Sequence, residues 1–322
     1  MHWTDRVGRR IKLRDLHVLL AVAHSGSISR AAGRLAISHP VVSRTISDLE
    51  HALGVRLFDR SSQGVEPTMY GRAFLDCGVA VFDDLRRGVQ QVEYLSDPTA
   101  GEVWIGGSEH MMAGFIPEII DRVARRCPRL VFHTVQGDGH TLRAALRERE
   151  VDLIVSRSLQ SSAEEDLVSE ALFDEQLYVV AGLQNRWARR RKIKLSDLLD
   201  EPWILPSPDS RVWQLTAAGF HSAGLTLPKS SVVSSSVPLR NILLATGRYI
   251  SILPRSMLHF GAEPLRVKIL PVKLPGISQP VEIITLKNRM LSPTANLFIK
   301  CAREVAKAVP HQAQVRKSPR KN

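Results

Sequence analysis

A chain of 322 residues with 44% hydrophobic and 24% charged side chains has the balance of an ordinary folded protein, and its length suits two or three domains of about 100–200 residues. Forty-four Lys and Arg against 32 Asp and Glu leave a net charge of +12, which raises a polyanion as partner. No run approaches the ~18 uninterrupted apolar residues of a membrane helix, and MHWTDRVGRRIKLRDL has no apolar core behind its basic residues, so neither an integral membrane protein nor an exported one is expected.

The three cysteines, Cys77, Cys127 and Cys301, are far apart, odd in number and without a CxxC pair. A disulfide framework or thiolate zinc site is therefore not expected, and reduced thiols suit a cytoplasmic location. The histidines show no HExxH spacing, so no metal site is expected, nor is a cofactor. The positive charge is uneven. Residues 1–70 hold ten bases against six acids, RWARRRKIK at 186–194 holds six bases and no acid, and four more bases lie between Arg316 and Lys321.

Leu13, Leu16, Leu19, Leu20 and Ala23 recur at helical spacing and predict a first amphipathic helix stopping at Ser25–Gly26. Ser27 opens a second helix whose Ala31, Ala32 and Gly33 allow close approach of a neighbour. After a break at Ile37–Ser38, HPVVSRTISDLEHAL predicts a third, with Pro40 in the first turn and Val42, Ile46, Leu49 and Leu53 as its buried stripe. Two short helices joined by a tight turn describe a helix-turn-helix. VRLFDRSSQGVEPT then supplies two short strand-like pieces around Ser-Ser-Gln-Gly, a wing.

A recognition helix presents its N-terminal residues to base edges in the major groove. Here Ser and His can bond base edges or phosphate, Val can meet a thymine methyl, and Arg can fork onto guanine or phosphate. The expected DNA-contacting set is Ser38, His39, Pro40, Val41, Val42, Ser43 and Arg44 in the helix, with Arg56, Arg60, Gln63 and Thr68 in the wing.

The run SGSISRAAGRLAISHPVVSRTISDLEHALGVRLFDR and the PTMYGRAFL beyond it resemble the N-terminal winged helix-turn-helix of LysR-type transcriptional regulators over about sixty residues. Two positions depart from the usual pattern: His39 stands where the family usually has Gln, and Gln63 where many members carry Arg. Both bear on sequence preference and minor-groove contact. The resemblance implies a homodimer or homotetramer on double-stranded promoter DNA, a small-molecule effector, and RNA polymerase as a further candidate partner.

From Tyr70 to Tyr94, Phe74, Leu75, Val81, Phe82, Leu85, Val89 and Val92 predict one long helix, whose apolar stripe calls for a partner helix. In the resembled family this segment pairs protomers. SDPTAG at 96–101 is the cleanest boundary in the chain. Beyond it, EVWIGG, LVFHTVQG and VDLIVSR read as strands alternating with the helices FIPEIIDRVARRCP and HTLRAALRERE, which argues for a parallel α/β sheet. A second such half follows, then a final strand and a closing helix. Two α/β halves with a chain that crosses between them resemble the periplasmic-binding-protein-like effector domains of that family. The expected class is thus α/β overall: a winged helix-turn-helix at 1–70, a linker helix at 71–95, a two-part α/β effector domain at 101–310 and a basic, disordered tail at 311–322.

Ligands of such folds sit between the halves, at strand C-termini and helix N-termini. That rule selects Ser108 and His110 after the first strand, Asp138 and His140 after the second, Arg157 at the end of the third, Ser207 and Ser210 after WILP, and Ser235 and Ser236 after a further strand. His110 stands where the family commonly has Thr or Ser. Arg157 with the histidines favours a small carboxylate. No GxSxG elbow surrounds Ser108, and no GxGxxG or GxxxxGK[ST] appears, so an enzyme is not expected. The reading is a DNA-binding transcriptional regulator with a sensory domain. The alternative is a solute-binding or architectural DNA-binding protein without ligand-controlled regulation.

Overall fold

The computed structural model describes residues 10–61, 64–157, 164–208, 210–260, 266–274 and 278–309; Gln63 and the basic tail 311–322 lie outside the described residues. The chain divides into two compact units, Met1–Val89 and Gln90–Asn322.

In the first unit, α1 (Leu13–Ser25) begins where the Lys12 N–H donates to the Asp15 carboxylate at 2.9 Å, and stops at Gly26 with φ +59°. That left-handed C-cap suits glycine because a Cβ is penalised there. The Ser27 hydroxyl caps α2 (Ile28–Leu35), and Pro40 lies in the first turn of α3 (His39–Leu53). Val18, Leu19, Val22, Ala31, Val42, Ile46, Leu49 and Leu57 form the core. The predicted stripe of α1 is rotated: Leu13 is 49% exposed, Leu20 is half-buried, and Val18, Ala21 and Val22 are buried. The cause is that α1 packs on both α2 and α3, so its buried arc is wider than one stripe. In α3, Val42, Ile46 and Leu49 are buried as expected, while Leu53 is half-buried.

The wing is an antiparallel pair, β1 (Phe58–Ser61) and β2 (Gly64–Pro67), with Arg60 opposite Val65. The long helix α4 runs Met69–Ser96. Its start is fixed by Thr68, whose hydroxyl donates to the Arg56 carbonyl at 2.7 Å and accepts the Gly71 N–H at 3.0 Å. Gly71 is required by close approach: a Cβ there would lie 1.9 Å from the Leu57 carbonyl oxygen. Phe74 and Leu75 pack on the core of this unit, whereas Leu85 and Val89 are each 51% exposed and Val92 is 65% exposed.

The second unit holds β3 (Ala100–Gly107), α5 (Glu109–Met112), α6 (Phe115–Arg126), β4 (Arg129–Gln136), α7 (Gly139–Arg147), β5 (Leu153–Arg157) and β6 (Leu167–Gly182). It continues with β7 (Trp203–Leu205), α8 (Arg211–Ser222), β8 (Ser230–Val233), α9 (Val237–Ala245), β9 (Ile250–Pro254), α10 (Arg255–Phe260), β10 (Val267–Ile269), β11 (Ser278–Leu286) and α11 (Pro293–Lys307). The sheet order is β4-β3-β5-β11-β6-β9-β7-β8, with β10 on β6. β3 pairs in parallel with β4 and β5, and β7 with β8 and β9. The wholly parallel expectation is corrected in the middle, where β11 and β6 run antiparallel to each other and to β5 and β9 respectively. The reason is connectivity: β6 passes from the first half into the second, and β11 brings the chain back beside β6 and β5. β6 spans 16 residues, of which 167–174 lie opposite β11.

Each half closes its own core. Val103, Ile105, Phe115, Ile119, Phe298 and Val305 lie in the first, and Trp203, Phe220, Ile250, Leu198 and Leu205 in the second. Between these cores a cluster of polar side chains lies beside apolar contacts such as that of Phe115 with Phe260, whose ring centroids are 5.8 Å apart.

Candidate nucleic-acid interface and ligand cleft

On α3, Ser38, His39, Pro40 and Val41 are exposed, Ser43 is half-buried, and the Arg44 side chain is 85% exposed. Arg44 lies 3.9 Å from Asp48, an exposed i,i+4 pair that restrains it little. Val42 needs correction as a DNA contact. It is fully buried in the three-helix core, since the helical period that exposes Val41 turns Val42 inward. Arg56 and Arg60 are exposed at the wing. Thr68 is half-buried and spends its hydroxyl on the cap of α4, which positions the wing against the helix.

The second constellation lies in the α/β unit. Ser108 begins α5 at the C-terminal end of β3, and its hydroxyl is buried without a partner among the described residues. His110, two residues on, sits between two guanidiniums. Arg157 Nη2, from the end of β5, is 3.3 Å from Nδ1, and Arg240 Nη1, from α9 in the other half, is 3.5 Å from Nε2. A neutral imidazole has one acceptor nitrogen, so it can satisfy only one of these donors. Arg157 Nη1 and Arg240 Nε are also buried without partners among the described residues.

Burial, then Arg157 and Arg240, hold the His110 pKa well below its usual value and keep the ring neutral. Burial likewise lowers Arg240 to about 10, against the raising effect of Glu109, and lowers Arg157 against Glu175. Two carboxylates join the halves. Glu109 Oε1 accepts the Val237 N–H at 2.7 Å, at the start of α9, and Glu175 Oε1 accepts the Ser256 N–H at 3.1 Å. Burial raises the Glu175 pKa. Glu175 Oε2 and Ser256 Oγ remain without partners among the described residues. A set with two desolvated cations and unmatched donors has the chemistry to hold an anion.

A family model for the LysR substrate binding domain matches residues 96–307, and one for the bacterial regulatory helix-turn-helix protein of the lysR family matches residues 13–72. The chain belongs to the LysR family of transcriptional regulators. Members of this family regulate transcription by binding promoter DNA and small-molecule effectors, and they are not enzymes. This LysR protein is 26% identical over 296 residues to the uncharacterized HTH-type transcriptional regulator YdcI of Escherichia coli, covering 92% of this chain and 96% of that one. It is 27% identical over 288 residues to the transcriptional dual regulator GltC of Bacillus subtilis, covering 89% and 95%. Among solved structures, a full-length OxyR variant from Pseudomonas aeruginosa shares the fold at TM-score 0.66 and 22% identity, covering 94% of this chain and 99% of that one. Full-length CbnR in complex with its target DNA gives TM-score 0.53 at 21% identity, covering 92% and 100%. No helix among the described residues is long and apolar enough to cross a membrane.

The other sequence-selected residues of this LysR sensing domain fall outside the His110 cluster's bonded network. Asp138 is exposed and caps α7, accepting the Thr141 N–H at 2.8 Å, and that bond holds its carboxyl below the usual range. His140 is exposed on the first turn of α7. Ser210 caps α8 by accepting the Trp213 N–H and donates to the Ser207 carbonyl at 2.6 Å. Ser236 caps α9, and Ser235 is exposed. Sequence reading missed Glu109, Glu175, Arg240 and Ser256. Two carried a usable signal: Arg240 lies between Val237 and Leu244 at i+3 and i+7, and Glu175 alternates with Phe173 and Leu177 on the buried face of β6.

Proposed function

We propose that this LysR regulator senses a small carboxylate held between the halves of its C-terminal domain by Arg157 and Arg240, with His110 and Ser108 beside them. The observation that carries the reading is the convergence of two desolvated guanidiniums from opposite halves on one neutral imidazole. A carboxylate offers four lone-pair sites and a full negative charge there, while a neutral analogue offers neither in full. Residues on both halves give the ligand differential affinity for open and closed arrangements, which is the thermodynamic requirement for a switch. The surrounding loops bring Asp138, His140, Ser207, Ser210, Ser235 and Ser236 as further candidates for the ligand's distal groups.

In this reading residues 1–70 bind DNA and residues 101–310 sense, with 311–322 a basic tail. Residues 71–95 pair protomers into a homodimer or homotetramer, for which the exposed Leu85, Val89 and Val92 supply an apolar stripe. Ser38, His39, Val41, Ser43 and Arg44 face the major groove, and Arg56 and Arg60 the flanking backbone. The protein acts in the cytoplasm, on RNA polymerase at the promoter. Calorimetry with a panel of small carboxylates and their matching amides tests the cleft. Acids should bind at least about tenfold tighter, a difference near 1.4 kcal/mol, and Arg240→Gln should remove the preference. Equal binding of acids and amides would sink the carboxylate assignment.

A further inference from the structure

The run RWARRRKIK at 186–194 lies between β6 and β7 and belongs to neither the cleft nor the recognition helix. Its apolar residues pin it to the second half: Trp187 and Ile193 pack on the core that contains Trp203 and Leu198. Asn185 accepts the Trp187 N–H at 2.9 Å, and Arg186 pairs with Glu201. The cations between these anchors point outward. Arg189, Arg190, Arg191, Lys192 and Lys194 are all exposed, and none forms an ion pair among the described residues. Of the acids that follow in sequence, Glu201 is engaged by Arg186 and Asp197 by the Lys194 N–H at 3.0 Å, while Asp200 is exposed.

The neighbouring strand extends the patch. Arg266 and Lys268 are exposed at β10, where the Arg266 carbonyl accepts the Leu183 N–H at 3.0 Å and Lys268 lies opposite Ala181. Contiguous like charges held on a fixed scaffold repel one another and contribute nothing to folding. They become favourable only when a polyanion covers them.

We propose that this patch is a second, sequence-independent phosphate-binding site on the sensing domain, and that it engages the duplex flanking the site read by the winged domain. The proposal rests on membership of a DNA-binding family and not on the carboxylate reading of the cleft. Duplex DNA is favoured over an acidic protein because the run's apolar residues, Trp187 and Ile193, are turned into the core. A protein partner draws its affinity from exposed anchors of that kind, whereas phosphate recognition needs only charge and guanidinium forks. Once the winged domain is bound, the second contact is intramolecular, so individually weak phosphate contacts add up.

The test is the salt dependence of binding to random-sequence duplexes by the full chain and by a variant carrying Arg189→Gln, Arg190→Gln, Arg191→Gln and Lys192→Gln. Duplexes of about 20 and about 60 base pairs are compared over roughly 50–200 mM salt. Each lost phosphate contact lowers the log–log slope by about 0.9, so the variant's slope should fall by about 2–4 on the long duplex and stay unchanged on the short one. The matching variant carrying Arg189→Lys, Arg190→Lys and Arg191→Lys should keep most of the slope. An unchanged slope on the long duplex overturns the proposal, as does an equal fall on both lengths, which would mark a general charge effect. Loss of binding to polyglutamate with DNA binding intact would overturn it in favour of an acidic protein.

Discussion

Nε2 of His110 lies 3.5 Å from Nη1 of Arg240, across the seam between the two halves of the sensing domain. With Arg157 on its other nitrogen at 3.3 Å, the ring is enclosed by cations and stays neutral. Protonating it would place three positive charges together away from water, with Glu109 and Glu175 as the opposing carboxylates.

This arrangement makes the sensing domain sensitive to acid. In the folded state the His110 pKa is lowered, so below about pH 6.5 the unfolded chain binds a proton that the folded chain refuses. The contribution of His110 is full above pH 6.5 and is lost as pH falls below it toward the folded value, at up to about 1.4 kcal/mol per pH unit. Thermal melts of the full chain between pH 5 and 8 should show the wild type losing stability more steeply than His110→Gln on the acid side. Parallel profiles would show that His110 does not titrate as argued.

Glu109 is the internal anion of the cleft, with its carboxylate on the first N–H of α9. In the carboxylate reading of the cleft, the ligand shares Arg240 with it. Glu109→Gln keeps an oxygen for the Val237 N–H but removes the competing charge, so carboxylate affinity should rise by about five- to thirtyfold, or about 1–2 kcal/mol. Calorimetry against the wild type measures this; an unchanged affinity would show that Glu109 does not compete with the ligand, and a weaker one that it assists binding.

The winged domain was largely legible in the sequence because its signals are local: a glycine stop at Gly26, a serine cap at Ser27, Pro40 in a first turn and a 3.6-residue period through Val42, Ile46 and Leu49. The sensing domain was legible as alternating strands and helices, but its antiparallel centre was not, since the pairing of β6 with β11 joins residues more than a hundred apart. The cleft was half-legible for the same reason. Loop position after a strand picks out Ser108, His110 and Arg157, but Arg240 and Glu175 come from the interior of a helix and a strand. A charge on a buried face looks like an interruption of the core until the opposing half is in place.

Adjacent valines on α3 differ in burial, and substitution tests whether they differ in role. Val42 is fully buried, so Val42→Ala should lower the stability of the DNA-binding unit by about 2 kcal/mol through lost burial and the cavity left behind. Val41 is 39% exposed, so Val41→Ala should leave stability within about 0.5 kcal/mol of wild type and alter the preference for thymine instead. Chemical denaturation followed by binding to a set of single-base operator variants distinguishes the two, and a stability loss at Val41 as large as that at Val42 would refute the assignment.

Arg44 stands one turn into α3, exposed and, among the described residues, held only by a weak contact with Asp48. If its guanidinium forks onto a guanine edge, Arg44→Ala should weaken binding to the specific operator by about 1–3 kcal/mol and leave binding to random duplex nearly unchanged. If it meets phosphate, both affinities should fall together and the salt slope should drop by about one unit. The position of Arg44 three residues beyond the exposed Val41, on neighbouring positions of the helix surface, supports the first outcome. Footprinting the operator with each variant at one fixed salt concentration, beside a competition series with random duplex, decides between them, and equal losses on both DNAs would reassign Arg44 to the backbone.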